Sequence, residues 1–180
     1  MTGDVVVSLP LRNVAYHEAG HAAAQLIFDQ APDFVTIQPG SGKLGFASHM
    51  DGDDFTEEGM RQLVINCYAG REAEMRIGGD GYGSDSDDQQ AEEYLKSVGT
   101  EEQMRRETAQ FVTEHWQLID RIACELLEHT TLELYELEIL LAIYRGEETE
   151  EDLQNYRSSF AFQRALENFK ASGLKRGSSA

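Results

Sequence analysis

Apolar residues recur every three to four positions along most of this chain, which predicts a mainly helical fold. The first such stretch predicts a helix over residues 13–29, capped by Asn13. A second helix is predicted over residues 56–77. A third is predicted over residues 87–97, where a Ser-x-x-Gln capping box precedes an amphipathic run.

The second half of the chain is helical throughout in its pattern. Capping signatures predict helix starts at Thr100, Thr130 and Thr149. One apolar stripe continues from Met104 to Leu126, so the first of these helices is predicted to be long. We therefore expect a helical bundle after residue 100.

Strand signals are few and lie close together. Residues 34–38 are rich in β-branched and aromatic side chains, residues 39–42 have turn composition, and residues 43–48 are suited to a returning strand. The predicted fold class is thus mainly α with a small β-hairpin or sheet, an α+β arrangement.

Composition limits the classes of protein that fit. The chain has 180 residues and 41% hydrophobic content, which suits one domain over residues 1–172 and a disordered tail over residues 173–180. The net charge of −18 argues against binding to nucleic acid or to an anionic membrane surface. No transmembrane run or secretory signal is found, so we expect a cytoplasmic protein. Cys67 and Cys124 are expected to be buried free thiols.

The run His17-Glu18-Ala19-Gly20-His21 carries the candidate chemistry. Residues four apart on a helix are separated by about 40° around the axis, so His17 and His21 lie on one face, with Glu18 beside them. Two imidazoles and a neighbouring carboxylate are typical of zinc peptidases, in which the histidines bind the metal and the glutamate is the general base. The pattern predicts a zincin-like active-site helix. Two histidines on an ordinary amphipathic helix are the simpler alternative.

A catalytic zinc site needs a third protein ligand. The extended metzincin motif is excluded because Ile27 stands where its third histidine would be. Acidic residues are the remaining candidates, and the start of a helix favours a carboxylate there, which favours Asp87 or Asp88 over Asp80. A solvated acidic loop, either calcium-like or merely flexible, is the alternative. The full set of candidates is Glu72, Glu74, Asp80, Asp85, Asp87 and Asp88.

Several motifs in one order resemble the peptidase domain of the FtsH family of zinc metallopeptidases. They are His17–Ala22, Val35–Pro39, Leu44–Phe46, Ala69–Glu74, and Gly83–Asp87 followed by Ala91. The resemblance spans most of residues 13–142. It implies a mostly helical zinc peptidase whose third ligand is an aspartate four residues after a glycine and four before an alanine. Asp87 fits that frame.

The same resemblance implies roles for other positions. It places Glu74 as a residue that orients a ligand, with direct coordination as the alternative, and it points to residues 43–48, with Leu44, Gly45 and Phe46, as an exposed strand that binds extended substrate. Members of that family are membrane-anchored and ATP-driven. This sequence has no G-x-x-x-x-G-K-[ST] loop, so ATP-dependent unfolding is not expected from it.

Three functions are therefore open. The preferred one is an ATP-independent zinc endopeptidase (Zn²⁺ cofactor) acting on peptides or on unfolded or flexible protein, with a separate unfoldase as a candidate partner. The second is a catalytically retired module that keeps the fold and the metal. The third is a regulatory protease with one dedicated target. Retention of Glu18 favours an enzyme. The oligomeric state is left open.

Overall fold

The computed structural model of the chain describes residues 9–38, 56–81, 85–159, 162–164 and 166–168. The fold is mainly helical with a small antiparallel sheet, which confirms the predicted fold class. The helices are α1 (Leu9–Ile27), α2 (Glu57–Arg76), α3 (Asp85–Val98), α4 (Glu101–Glu114), α5 (Trp116–His129), α6 (Leu134–Arg145) and α7 (Glu150–Arg157). The strands are β1 (Phe34–Thr36) and β2 (Thr131–Glu133).

Helix α1 is central and packs against both α2 and α5. Its buried face consists largely of alanines, so neighbouring helices approach its backbone closely. Gly20 marks the tightest point, because a Cβ built there would lie 2.7 Å from the carbonyl carbon of Ala69 and 2.9 Å from Cα of Gly70. This close crossing sets the distance between α1 and α2.

Two apolar clusters hold the described residues together. The larger joins α1 to the leucine- and isoleucine-rich faces of α5 and α6, with Leu118, Ile122 and Leu137 fully buried. The smaller packs α2, α3 and α4 together, with Ala91 and Met104 fully buried. The smaller cluster therefore fixes the position of α3 against α2.

The sheet differs from a local hairpin. β1 pairs with β2, from Phe34 opposite Glu133 to Thr36 opposite Thr131. The predicted returning strand, residues 43–48, lies outside the described residues. Sequence patterns rarely reveal such pairing between distant segments, because its energy comes from contacts that a local window does not contain.

Several predicted boundaries are wrong. Helix α1 begins at Leu9, so Asn13 lies inside it; Pro10 fits the first turn, where its missing N–H needs no partner. Helix α3 begins at Asp85 and not at Asp87. The signatures at Thr100 and Thr149 are confirmed, since each hydroxyl accepts a hydrogen bond from a backbone N–H of the helix it caps. Thr56 caps α2 in the same way.

The long helix predicted after Thr100 is two helices. The chain turns at His115, whose Nδ1 lies 3.1 Å from Oη of Tyr144 on α6, and this turn separates α4 from α5. Thr130 does not start a helix either. Its φ of 63° closes α5 in the left-handed region, and Glu133 caps α6 instead, through a capping box with Glu136.

Two further findings concern exposure. Cys67 is a buried free thiol as expected, whereas Cys124 is exposed, which corrects its predicted burial. None of the helices in the part of the chain that the structure describes has the length and apolar character that a bilayer crossing requires. The domain limits at residues 172 and 173 lie outside the described residues and stay a prediction.

Candidate metal centre

Helix α1 presents two imidazoles on one face. His17 and His21 are one turn apart, and their Nε2 atoms lie 3.1 Å from each other. Both rings are partly buried, with 14% and 16% of their side-chain surface exposed. The two histidines therefore share one face of the helix in the structure, as predicted, and their Nε2 atoms point at a common position.

Asp87 reaches this position from the first turn of α3. Its Oδ2 lies 3.3 Å from Nε2 of His17 and 3.5 Å from Nε2 of His21. Ligand atoms at about 2.0–2.1 Å from a tetrahedral zinc ion are about 3.3–3.4 Å apart. The three observed separations between ligand atoms, 3.1, 3.3 and 3.5 Å, are close to that distance. These residues therefore form a group whose ligand atoms fit around one zinc ion.

The backbone of α2 selects the tautomer of His21. The carbonyl oxygen of Asn66 lies 2.8 Å from Nδ1 of His21, and a carbonyl oxygen only accepts, so Nδ1 carries the proton. In the neutral imidazole, Nε2 then has a free lone pair directed at Asp87 and His17. A metal ligand needs this state.

Glu74, on α2, lies on the Nδ1 side of His17, away from the Nε2 atoms that approach Asp87. Its carboxylate is buried, with Oε2 3.6 Å from Nδ1 of His17 and Oε1 accepting a hydrogen bond of 3.3 Å from the backbone N–H of Gly81. Glu74 is not in the three-residue ligand group. Its position suits orientation of His17 and support of the chain segment that leads to α3.

A glycine on α2 makes room for both rings. A Cβ built at Gly70 would lie 2.8 Å from Cδ2 of His21 and 3.0 Å from Cδ2 of His17, and it would come closer still to Nε2 of His21. Asn66, Gly70 and Glu74 follow one another at intervals of four, so they form a single stripe along α2. The two imidazoles pack against this stripe of α2.

Glu18 is the remaining acidic group of the motif. It is 7% exposed, and its Oε2 is buried without a hydrogen-bond partner among the described residues. Burial raises the pKa of Glu18, and the neighbouring His21 and His17 oppose that rise. An unpaired, buried carboxylate oxygen costs free energy, so its presence beside the ligand group calls for an explanation such as a catalytic role.

Burial and opposite charge have competing effects on the pKa values of Asp87 and His21. Burial disfavours ionisation of Asp87, but hydrogen bonds to His17 and His21 outweigh this and lower the pKa of Asp87. Burial disfavours protonation of His21, but the hydrogen bond to Asp87 and the charge of Glu18 outweigh it, so the pKa of His21 is raised. A site that favours shared positive charge in this way also favours a divalent cation.

The structure thus brings His17, His21 and Asp87 together, with Glu18 and Glu74 next to them. Asp88, the other candidate at the start of α3, faces Arg71 and Arg105 instead. The proposed substrate strand with Leu44, Gly45 and Phe46 lies outside the described residues. Sequence reasoning assigned no role to Asn66 or Gly70; the small residues Ala19 and Gly20 inside the histidine motif were the only hint of the close approach.

A segment of the chain is similar to known zinc metalloproteases. It is 39% identical over 75 residues to the ATP-dependent zinc metalloprotease FTSH 3, mitochondrial, of Oryza sativa subsp. japonica. It is 37% identical over 76 residues to the ATP-dependent zinc metalloprotease FTSH 10, mitochondrial, of Arabidopsis thaliana. Each match covers 39% of this chain and 9% of the relative. No family model matches the chain. The chain therefore contains an FtsH-related region.

Proposed function

We propose that this chain is a zinc-dependent endopeptidase that hydrolyses peptide bonds in unfolded or flexible protein. The observation that carries the proposal is the convergence of Nε2 of His17, Nε2 of His21 and Oδ2 of Asp87 at separations of 3.1–3.5 Å. The related plant proteins are named zinc metalloproteases, which supports the choice of metal and of reaction.

The donor set fits zinc. Two nitrogens and one carboxylate oxygen leave a fourth tetrahedral position open, as catalytic zinc sites require. A zinc ion bound there would supply Lewis acidity, polarising the peptide carbonyl and lowering the pKa of a water molecule to about 7. The hydrogen bond to Asn66 fixes the His21 ring, and Glu74, 3.6 Å from Nδ1 of His17, is positioned to orient the His17 ring.

Glu18 is the proposed general base. Its neighbours on α1 are ligands, and its buried Oε2 has no competing hydrogen bond among the described residues. Glu18 takes a proton from the attacking water at Oε2 and then gives that proton to the leaving amine. Burial keeps this carboxylate away from bulk solvent, which matches the need to return the proton to the substrate.

The experiment compares the wild-type chain with Glu18→Gln. We expect the variant to keep one equivalent of zinc by metal analysis and to lose cleavage of an unfolded fluorescent casein by about 10²–10⁴-fold. Glu58→Gln, a carboxylate in the exposed first turn of α2, is the matched control and should cleave like the wild type. His21→Ala should lose both zinc and cleavage.

The outcomes separate the candidate functions. Equal cleavage by wild type and Glu18→Gln would refute the role of Glu18. Zinc binding by a wild-type protein that cleaves no unfolded reporter would favour the retired interaction module. Cleavage of casein at many positions would argue against a protease dedicated to one target. The reaction as proposed requires no nucleotide, so addition of ATP should leave the rate unchanged.

A further inference from the structure

Two arginines from different helices hold the residue that follows Asp87. Nη1 of Arg71 on α2 donates a hydrogen bond of 3.1 Å to Oδ2 of Asp88, and Nη2 of Arg105 on α4 donates one of 3.0 Å to Oδ1. Both oxygens of the Asp88 carboxylate are therefore engaged, each by a different helix. We call Arg71, Asp88 and Arg105 the arginine clamp.

Each arginine is itself fixed in place. The guanidinium carbon of Arg105 lies 4.2 Å from the centre of the Tyr68 ring, and its Nε donates a hydrogen bond of 2.8 Å to Glu101. The side chain of Arg71 lies under the segment before α3, because a Cβ built at Gly81 would meet its Nε at 3.0 Å. The clamp is thus anchored on α2 and α4, with 32% of the Arg71 side chain and 23% of the Arg105 side chain exposed.

Adjacent residues on a helix point about 100° apart, so Asp87 and Asp88 face different neighbours. Asp87 faces His17 and His21, and Asp88 faces the two arginines. A rotation of the first turn of α3 that moved Asp88 would move Asp87 in the same step. We propose that Asp88, held by Arg71 and Arg105, is a positioning residue that keeps Asp87 within reach of both imidazoles.

This inference rests on the metal centre of the proposed function, and it adds a determinant of metal affinity that lies outside the ligand group. The alternative is a purely structural role, in which the clamp only joins α2, α3 and α4. A purely structural clamp would change the unfolding free energy and leave the affinity of the folded protein for zinc unchanged. Measurement of zinc affinity therefore distinguishes the two roles.

The test measures the zinc dissociation constant of the full chain by competition with a chromophoric chelator. Asp88→Asn and Arg105→Gln are each expected to weaken zinc binding by about 10- to 100-fold. Arg106→Gln removes the same charge one residue away, where the ion pair with Glu102 is exposed, and should change affinity by less than about twofold. The visible spectrum of the cobalt-substituted protein should lose tetrahedral intensity in the clamp variants only.

A double-mutant cycle sharpens the assignment. Arg105 acts through Asp88. The zinc dissociation constant of the double variant Asp88→Asn/Arg105→Gln should therefore lie within about threefold of that of whichever single variant binds zinc more weakly. Circular dichroism reports whether each variant keeps its helical content. If Asp88→Asn does not fold, Arg71→Gln and Arg105→Gln remove the two hydrogen bonds separately and carry the test.

Two results would overturn the proposal, and they are distinguishable. Folded clamp variants that bind zinc within twofold of a zinc-binding wild type would refute the positioning role and leave the metal centre standing. A wild-type protein that binds no zinc would refute both. The test measures zinc affinity and does not depend on peptide cleavage.

Discussion

Gly70→Ala is the substitution whose effect the geometry predicts most directly. It adds a single methyl group, which would lie 2.8 Å from Cδ2 of His21 and 3.0 Å from Cδ2 of His17. Carbon atoms in ordinary contact are about 3.5–4.0 Å apart, so the rings or the helices must separate by roughly 0.5–1 Å. Metal–ligand distances tolerate only about 0.2 Å of error.

Zinc affinity should therefore fall by about 100-fold or more in Gly70→Ala, since two of the three ligands are displaced. The unfolding free energy of the metal-free protein should change by less than the free energy of zinc binding does. Overpacking costs about 1–3 kcal/mol, and replacing a helical glycine by alanine returns about 1 kcal/mol. Chelator competition and urea unfolding measure the two quantities separately.

Gly20→Ala is the comparison variant, because its methyl group would meet the α2 backbone at Ala69 and not the imidazoles. It should destabilise the metal-free protein more than Gly70→Ala does, since backbone yields less readily than a side chain. Zinc binding by Gly70→Ala within threefold of the wild type would show that the rings have room to move, and the argument from close approach would then be wrong.

Three further predictions concern an ion-pair bridge, a histidine away from the metal centre, and stabilisation by zinc. Arg157→Gln should destabilise the protein by about 3–5 kcal/mol in urea unfolding, because Arg157 bridges the buried carboxylates of Glu125 and Glu136 at 2.7 and 2.8 Å; an unchanged midpoint would refute this. Burial lowers the pKa of His115 in the folded state, so the unfolded state binds more protons and stability falls as pH drops below about 6.5; His115→Gln should make that fall shallower. Zinc at about 100 times its dissociation constant should add about 2.7 kcal/mol to the unfolding free energy, and a chelator should remove it.

The helix carrying the candidate ligands was accessible from sequence because its signal is local. Two histidines four residues apart define a face whatever the rest of the chain does. The position of Asp87 followed from the resemblance to a family frame and not from periodicity, and the structure places it beside the histidines. Its exact reach depends on how α3 packs on α2, which no local pattern contains.

The failures have physical causes of the same kind. The apolar stripe through His115 is continuous in sequence, but α4 packs against α2 and α5 against α1, so the chain must turn between them. Thr130 has the composition of a cap, yet pairing of β2 with β1 draws the next residues into a strand. Tertiary contacts override capping preferences worth only about 1 kcal/mol. The arginine clamp likewise joins residues 17 positions apart in both directions.

The placement of the ligands on α1 and α3 has a consequence for the unfolded chain. His21 and Asp87 are about 66 residues apart in sequence, and a covalent cross-link across a loop of that length would contribute about 4 kcal/mol by restricting the unfolded ensemble. A bound ion would act as a reversible cross-link between the same two residues. A chelator would then do more than stop the proposed hydrolysis, because the metal-free chain would unfold more readily and would itself become a target for other proteases.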